Sequence, residues 1–191
     1  MTPTTPTTRR WRLGAVVIVG ALALAGCGGA SSKAPASPAA AASQVLPVTE
    51  NPIRNSSTAQ TLRIDSVLVE NNVDPLTGKA APDHLEIALQ NSGPAVAGNV
   101  EVYYTLTDPK KKISETYYAK LGDSFTIPAG GRRVVHFDDT TGPDHYPVNK
   151  FSLYYTSKAA LDVSVTVSAT DAAVQTVTVK KDPGGAENPG E

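Results

Sequence analysis

From Gln60 to about Lys181 the chain alternates apolar and polar residues in short runs. Leu85, Ile87 and Leu89 alternate with Glu86 and Gln90, and Val100, Val102, Tyr104 and Leu106 with Glu101, Tyr103, Thr105 and Thr107. Neighbouring side chains of a strand point to opposite faces, so each run predicts a strand with one buried and one wet face. Leu161, Val163, Val165 and Val167 against Asp162, Ser164, Thr166 and Ser168 give the clearest run. Leu62–Glu70 predicts a first strand whose apolar phase changes between Ile64 and Val67, as at a bulge or a strand shifting between sheets. Ser114–Ala119, Phe125–Ile127, Val134–Asp138, Phe151–Thr156 and Val174–Lys180 predict the remaining strands.

Turn signals separate these runs. Asn71–Asp83 reads as a loop, as does the polar stretch Asp139–Asn149; Asn91-Ser92-Gly93-Pro94, Asp108-Pro109-Lys110-Lys111-Lys112 and Pro128-Ala129-Gly130-Gly131 read as turns. Seven to nine short strands without a helical stripe predict an all-β fold, an antiparallel sandwich of immunoglobulin-like or fibronectin-like kind. The paired cysteines and core tryptophan of antibody domains are missing, because the chain has one Cys and one Trp, at positions 27 and 11. A domain of this size buries roughly two-thirds of its unfolded surface, enough for a core without disulfides.

Asn91-Ser92-Gly93, the strand Val100–Asp108 and Pro128-Ala129-Gly130-Gly131 together resemble the small bacterial immunoglobulin-like domains called FxLYD. Tyr104 stands where that motif has Phe, and Thr107 replaces its Tyr. The resemblance covers about 50 residues. It implies a β-sandwich of the sort carried by secreted or lipid-anchored bacterial proteins, and no catalytic residue.

The N-terminal part has a different texture. Met1–Arg12 carries Arg9, Arg10 and Arg12 and no acid; Leu13–Gly26 then runs 14 residues without a charged or polar side chain. A basic region, a short apolar region and small residues before a cut make an export signal, and the run is shorter than the ~20 apolar residues of a spanning helix. Arg9-Arg10 also fits a twin-arginine signal, but Arg12 stands where such a signal is expected to be apolar, which favours the general secretory route. The run ends in Leu24-Ala25-Gly26-Cys27, which resembles the lipobox of bacterial lipoproteins. The resemblance implies cleavage before Cys27, a diacylglyceryl group on its thiol, and attachment to the outer face of the cell membrane. Lone acyl chains bind only marginally, at ~0.8 kcal/mol per buried methylene, and the two or three chains of a lipoprotein hold firmly.

After Cys27, 15 of the 17 residues of Gly28–Gln44 are Gly, Ala, Ser or Pro. Such a segment cannot bury enough apolar surface to offset its ordering entropy. Polarity stays high to Thr58, so residues 27–58 are expected to be a lipidated cysteine and disordered tether, 59–181 the domain and 182–191 a disordered tail. Asn55-Ser56-Ser57 matches the glycosylation pattern by chance.

Removing the leader leaves 14 basic and 18 acidic residues, a net charge of −4. That balance gives no argument for nucleic acid or for an anionic membrane surface as a partner. The densest polar cluster is His136, Asp138, Asp144 and His145. Imidazole with carboxylate can bind zinc, and carboxylates alone calcium, but the spacing fits no ligand pattern and no metal or other cofactor is expected. Asn72-Val73-Asp74 fails as a calcium loop, since Leu76 and Thr77 stand where an oxygen ligand and a glycine are needed. No Gly-x-Ser-x-Gly elbow exists, and a triad built in space on His84, His136 or His145 would leave no mark in the sequence to decide it. Lys110–Lys112 could attract headgroups or an acidic partner. Outward tyrosines among Tyr103, Tyr104, Tyr117, Tyr118, Tyr146, Tyr154 and Tyr155 suit contact with a protein or glycan.

The expected protein is therefore a lipid-anchored, extracytoplasmic β-sandwich, not an enzyme, acting as a binding or structural module at the cell envelope. The alternatives are an accessory subunit presenting a ligand or metal to a membrane transporter or enzyme and, third, an envelope hydrolase. Cys27→Ser should leave the leader uncut and the product without acyl chains. Mass spectrometry of the membrane fraction decides: a Cys27→Ser protein that still matures to a lipidated species excludes the lipobox reading.

Overall fold

The computed structural model describes residues 44–70, 76–79 and 85–184. The export signal, Cys27, the tether through Ser43, Asn72–Asp74, His84 and residues 185–191 lie outside the described residues.

Among the described residues the chain is nearly all β. The elements are β1 (Val45–Pro47), β2 (Leu62–Val69), β3 (Leu85–Asn91), β4 (Glu101–Asp108), β5 (Ile113–Lys120), β6 (Arg132–Asp138), β7 (His145–Pro147), the single helical turn α1 (Leu153–Thr156), β8 (Leu161–Ala169) and β9 (Ala172–Lys181). They form a five-stranded sheet in the order β1-β5-β4-β8-β9 and a four-stranded sheet in the order β2-β3-β6-β7. Neighbours are antiparallel except β6 and β7, which run parallel.

The alternation read along the chain becomes the inner face of each sheet. Ile87, Leu89, Val135 and Phe137 point in from the four-stranded sheet, and Val102, Tyr104, Leu106, Val163, Val165 and Val167 from the five-stranded one. The layers meet where the Tyr104 and Phe137 rings lie 5.3 Å apart. Each such side chain contributes roughly 1.5–3 kcal/mol by leaving water. The phase change in β2 is a bulge: pairing with β3 shifts between Ile64 and Ser66. Asp65, left out of the ladder, meets Arg63 at 3.0 Å and Arg132 at 3.3 Å.

Buried Asn91 closes one end of the core. Its amide nitrogen donates to the carbonyls of Ala95 (2.8 Å), Ile127 (2.9 Å) and Pro128 (3.2 Å), and its oxygen accepts the Gly93 N–H (2.9 Å). The two turns at Asn91–Pro94 and Pro128–Gly131 are thereby tied together. Gly93 is required here, since a Cβ would lie 3.0 Å from Thr61 Cβ, and Gly130 takes a φ of +68°.

Four sequence expectations need correction. The tether does not extend to Thr58: β1 pairs with β5, and the segment behind it is bonded to the sheet. Backbone pairing with an open sheet edge orders a stretch whose composition alone offers no core face. Phe151–Thr156 is not a strand; Leu153–Thr156 forms a single helical turn that buries Leu153, Tyr154 and Tyr155 together. The polar loop 139–149 contains β7, whose His145 and Tyr146 pair with His136 and Phe137 of β6, and this makes the four-stranded sheet mixed. Phe125–Ile127 makes only an isolated bridge, Ile127 to Ala97.

Pro38–Glu191 is one compact unit, and the whole hydrophobic core lies within it. Val165 is wholly buried there and Ser164 half-buried on the outer face. Val165→Asp should therefore cost several kcal/mol, because an unpaired carboxylate is forced out of water, out of a total of ~5–15. Ser164→Asp should stay within about 1 kcal/mol. Urea titration of both variants checks this, and equal destabilisation would contradict the assigned register.

Candidate functional site

Two surfaces carry side chains capable of chemistry or recognition. The first is on the outer face of the four-stranded sheet. Parallel pairing of β6 with β7 sets His136 directly beside His145, and their rings stack at 4.8 Å. His145 Nδ1 faces both oxygens of Asp138, at 2.8 and 3.1 Å. A carboxylate there only accepts, so Nδ1 carries a hydrogen and donates it. Glu86, paired with His136 across β3 and β6, lies 3.9 Å from His136 Nδ1.

Asp144 does not join this group. It accepts from Arg133 through both carboxylate oxygens, at 2.6 and 2.9 Å, and Arg133 also donates to the carbonyls of Ser124 and Thr126 while lying over the Phe125 ring. The structure thus brings together His136, Asp138 and His145 and leaves Asp144 to hold the β6–β7 connection. Glu86 was not singled out by sequence reasoning, since only the β3–β6 register reveals it. Among the described residues, no group of three or more His, Cys, Asp or Glu side chains is arranged to hold a metal ion. A His–Asp pair is also part of a nucleophile-activating triad, but His145 hydrogen-bonds no described serine or threonine hydroxyl.

The second surface is the outer face of the five-stranded sheet. The strand registers lay out three rows across four strands: Tyr118, Tyr103, Thr166 and Thr176; Thr116, Thr105, Ser164 and Thr178; Ser114, Thr107, Asp162 and Lys180. Neighbours within a row are roughly 4.8 Å apart and rows about 6.7 Å apart. Hydroxyls link Thr107 to Ser114 and Thr166 to Thr176, each at 2.9 Å. Tyr118 donates to Glu101 on the same face. The result is a field of hydroxyls with two half-buried phenol rings at one margin.

Residues 48–55 cross the end of this face. Val48 N–H donates to Thr116 O at 3.0 Å, and Asn55 Nδ2 donates to Ser168 Oγ, Ala169 O and Ala172 O at 2.8–3.0 Å. That amide nitrogen would have to carry any glycan on the Asn55-Ser56-Ser57 pattern, and it is fully engaged. A cleft of about 480 Å³ lies between Arg54–Ser57 and Asn99, Glu101, Thr170 and Asp171. No sequence signal pointed to this crossing, because nothing in the spacing of its residues says which sheet they touch.

The tyrosines divide as strand alternation requires in two pairs of three. Tyr104 and Tyr117 are buried and stacked at 5.3 Å, while Tyr103 and Tyr118 face out. Tyr154 and Tyr155 break the rule because they lie on α1, where both are buried. Burial holds the Tyr117 phenol up to about 12, with its hydrogen bond to Glu115 adding to the rise and that from Asn149 opposing it. Tyr104 is raised by burial and then by the nearby Tyr117 and Tyr155. Tyr118 is raised by burial and then by Glu101.

No protein-family model matches the chain, and no curated protein matches it. Among solved structures, it is similar to an alkylpurine DNA glycosylase of Pseudomonas fluorescens bound to DNA with an abasic-site analogue, at 16% identity and a TM-score of 0.31 over 63% of this chain and 30% of that one. It is also similar to a β-glucosidase of Listeria innocua in complex with glucose, at 21% identity and TM-score 0.33, over 65% of this chain and 16% of that one. A β-glucosidase of intestinal bacteria involved in saponin metabolism matches at 15% identity and TM-score 0.34, over 63% and 16%. The chain thus spans less than a third of each of these proteins.

The raised phenols predict an alkaline limit. Between the ordinary tyrosine pKa of 10 and about 12, Tyr117 ionises in the unfolded chain but not in the folded one. The unfolded state then binds fewer protons, so stability falls as pH rises through this window and is fully present below it. Absorbance titration of phenolate alongside circular dichroism should show Tyr104 and Tyr117 ionising only as β-structure is lost. Ionisation of all seven tyrosines near pH 10 with the dichroism unchanged would contradict the burial described.

Proposed function

We propose that the protein is a lipid-anchored, extracytoplasmic binding module of the immunoglobulin-like or fibronectin-like sandwich class, held at the outer face of the cell membrane through Cys27. Strand order supports the class. Counted from β2 with β7 left out, the first, second and fifth strands form one sheet and the fourth, third, sixth and seventh the other. That is the immunoglobulin arrangement with its fourth strand moved to the opposite sheet.

The observation that carries the binding role is the outer face of the five-stranded sheet. Tyr103 and Tyr118 supply rigid rings with polar tips, and the threonine and serine rows supply hydroxyls that donate and accept. Such a face suits an envelope protein or glycan partner. The accessory reading, a subunit presenting a ligand or metal, draws on the His136–His145 stack with Asp138. An envelope hydrolase ranks third, and neither it nor nucleic-acid binding forms part of the proposal.

A photo-crosslinking residue at Thr105 in intact cells should capture a discrete partner, and Tyr103→Ala should abolish the capture. The same residue at Val134, on the outer face of the other sheet, should capture nothing comparable. Capture from Val134 but not Thr105 would move the site to the histidine-bearing sheet and favour the accessory reading.

A further inference from the structure

Three exposed lysines lie on the β4–β5 turn, and an exposed phenylalanine lies in a segment fastened to the turn-proximal half of β5. The β4–β5 turn carries Lys110, Lys111 and Lys112. Its shape is set by Asp108, whose carboxylate accepts the N–H groups of Lys110 and Lys111 at 2.9 and 3.0 Å and whose carbonyl accepts that of Lys112 at 2.9 Å. Lys112 adopts a φ of +57°. Asp108 is wholly buried, so the turn presents its cations outward over a carboxylate held inside.

Apolar surface lies alongside. Ile113, the next residue, is 43% exposed, and Phe151 is 86% exposed, whereas Phe125 and Phe137 are buried in the core. Residues flanking Phe151 are tied to the same end of β5: Asn149 Nδ2 donates to Tyr117 Oη at 3.1 Å and Leu153 N–H to Glu115 Oε2 at 2.8 Å. The carboxylates in register beside the turn are engaged, Glu115 with Leu153 and Tyr117, and Asp162 with Lys180.

We propose that this end docks against an anionic lipid surface, with Lys110–Lys112 on headgroup phosphates and Phe151 and Ile113 in the boundary between headgroups and acyl chains. Lysines on flexible stems beside a projecting aromatic match that boundary, where charge and apolar surface are satisfied at successive depths. An acidic protein would account for the lysines but leaves Phe151 exposed without reason. The chain permits the contact. Val45 pairs with Ala119, near the end of β5 remote from the turn, and β5 spans roughly 26 Å. The 17 residues between Cys27 and Val45 can stretch to about 60 Å, so an anchor at Cys27 and this contact can share one bilayer. The docking does not rest on lipidation, since Pro38–Glu191 carries all the residues involved.

The test is co-sedimentation of Pro38–Glu191, its fold verified by circular dichroism, with vesicles of phosphatidylcholine alone and of equal parts phosphatidylcholine and phosphatidylglycerol. It should partition onto the anionic vesicles only, and high salt should release it. Lys110→Gln with Lys112→Gln should weaken partitioning about thirtyfold, at roughly fivefold per lysine; Lys111 is kept because its Nζ lies 3.9 Å from the buried Asp108 Oδ2. Trp11 is absent from this piece, so Phe151→Trp supplies a single reporter, and its emission should shift to the blue on anionic vesicles. Failure to partition, equal partitioning onto neutral vesicles, an unaltered double variant or an unshifted emission would each overturn the proposal.

Discussion

The amide of Asn91 is the interaction on which the arrangement of the two layers most depends. It is buried at the end of β3, and its three donated hydrogen bonds reach a loop leaving that strand and the turn that begins β6. The Ile127 and Pro128 carbonyls also accept from the Ala97 and Gly131 N–H groups, so the amide adds a second bond to each and links them to the Ala95 carbonyl. With Asn91 in place, the chain leaves one sheet for the other at Ala97 and returns at Ile127, which bridge to each other. A Cβ on Gly93 would meet Thr61 and the Asn91 side chain, whereas Gly130 serves the turn through its positive φ.

Once the layers are set, each sheet divides its residues by parity. Inward positions build one continuous core, with Tyr104 and Phe137 in contact across it. Outward positions of the two sheets have different chemistry. The five-stranded sheet presents rows of hydroxyls and two phenols, while the four-stranded sheet presents the ion pairs of Asp65, then Glu86 and the stacked histidines. The strand ends add a third surface, the lysine turn, and Glu115 and Tyr117 of the adjoining strand fasten the segment that carries the exposed phenylalanine.

Alternation was a reliable guide wherever a strand had one buried face. It placed Val163, Val165 and Val167 in the core, separated Tyr103 from Tyr104 and Tyr117 from Tyr118, and marked the β2 bulge. It was misled at Phe151–Thr156, where three consecutive residues are buried at a corner that both layers enclose. It was silent about β1 and β7, each three residues long. A strand that short has no room for a period and is ordered by the edge it pairs with.

Within the longer strands the sequence by itself determined which side chains face in and which residues are chemically able to act, because these follow from local spacing and residue type. It also carries the motif at Leu24–Cys27, which is read as linear sequence and needs no fold. Only the tertiary structure decided who meets whom. His136 joins His145 while Asp144 is claimed by Arg133, Asn55 spans to Ser168, and the segment carrying Phe151 is fastened to Glu115 and Tyr117 of β5. Each of these contacts is fixed by strand register and by how the two sheets pack, which are set by the core as a whole and leave no mark in the spacing of the residues they bring together.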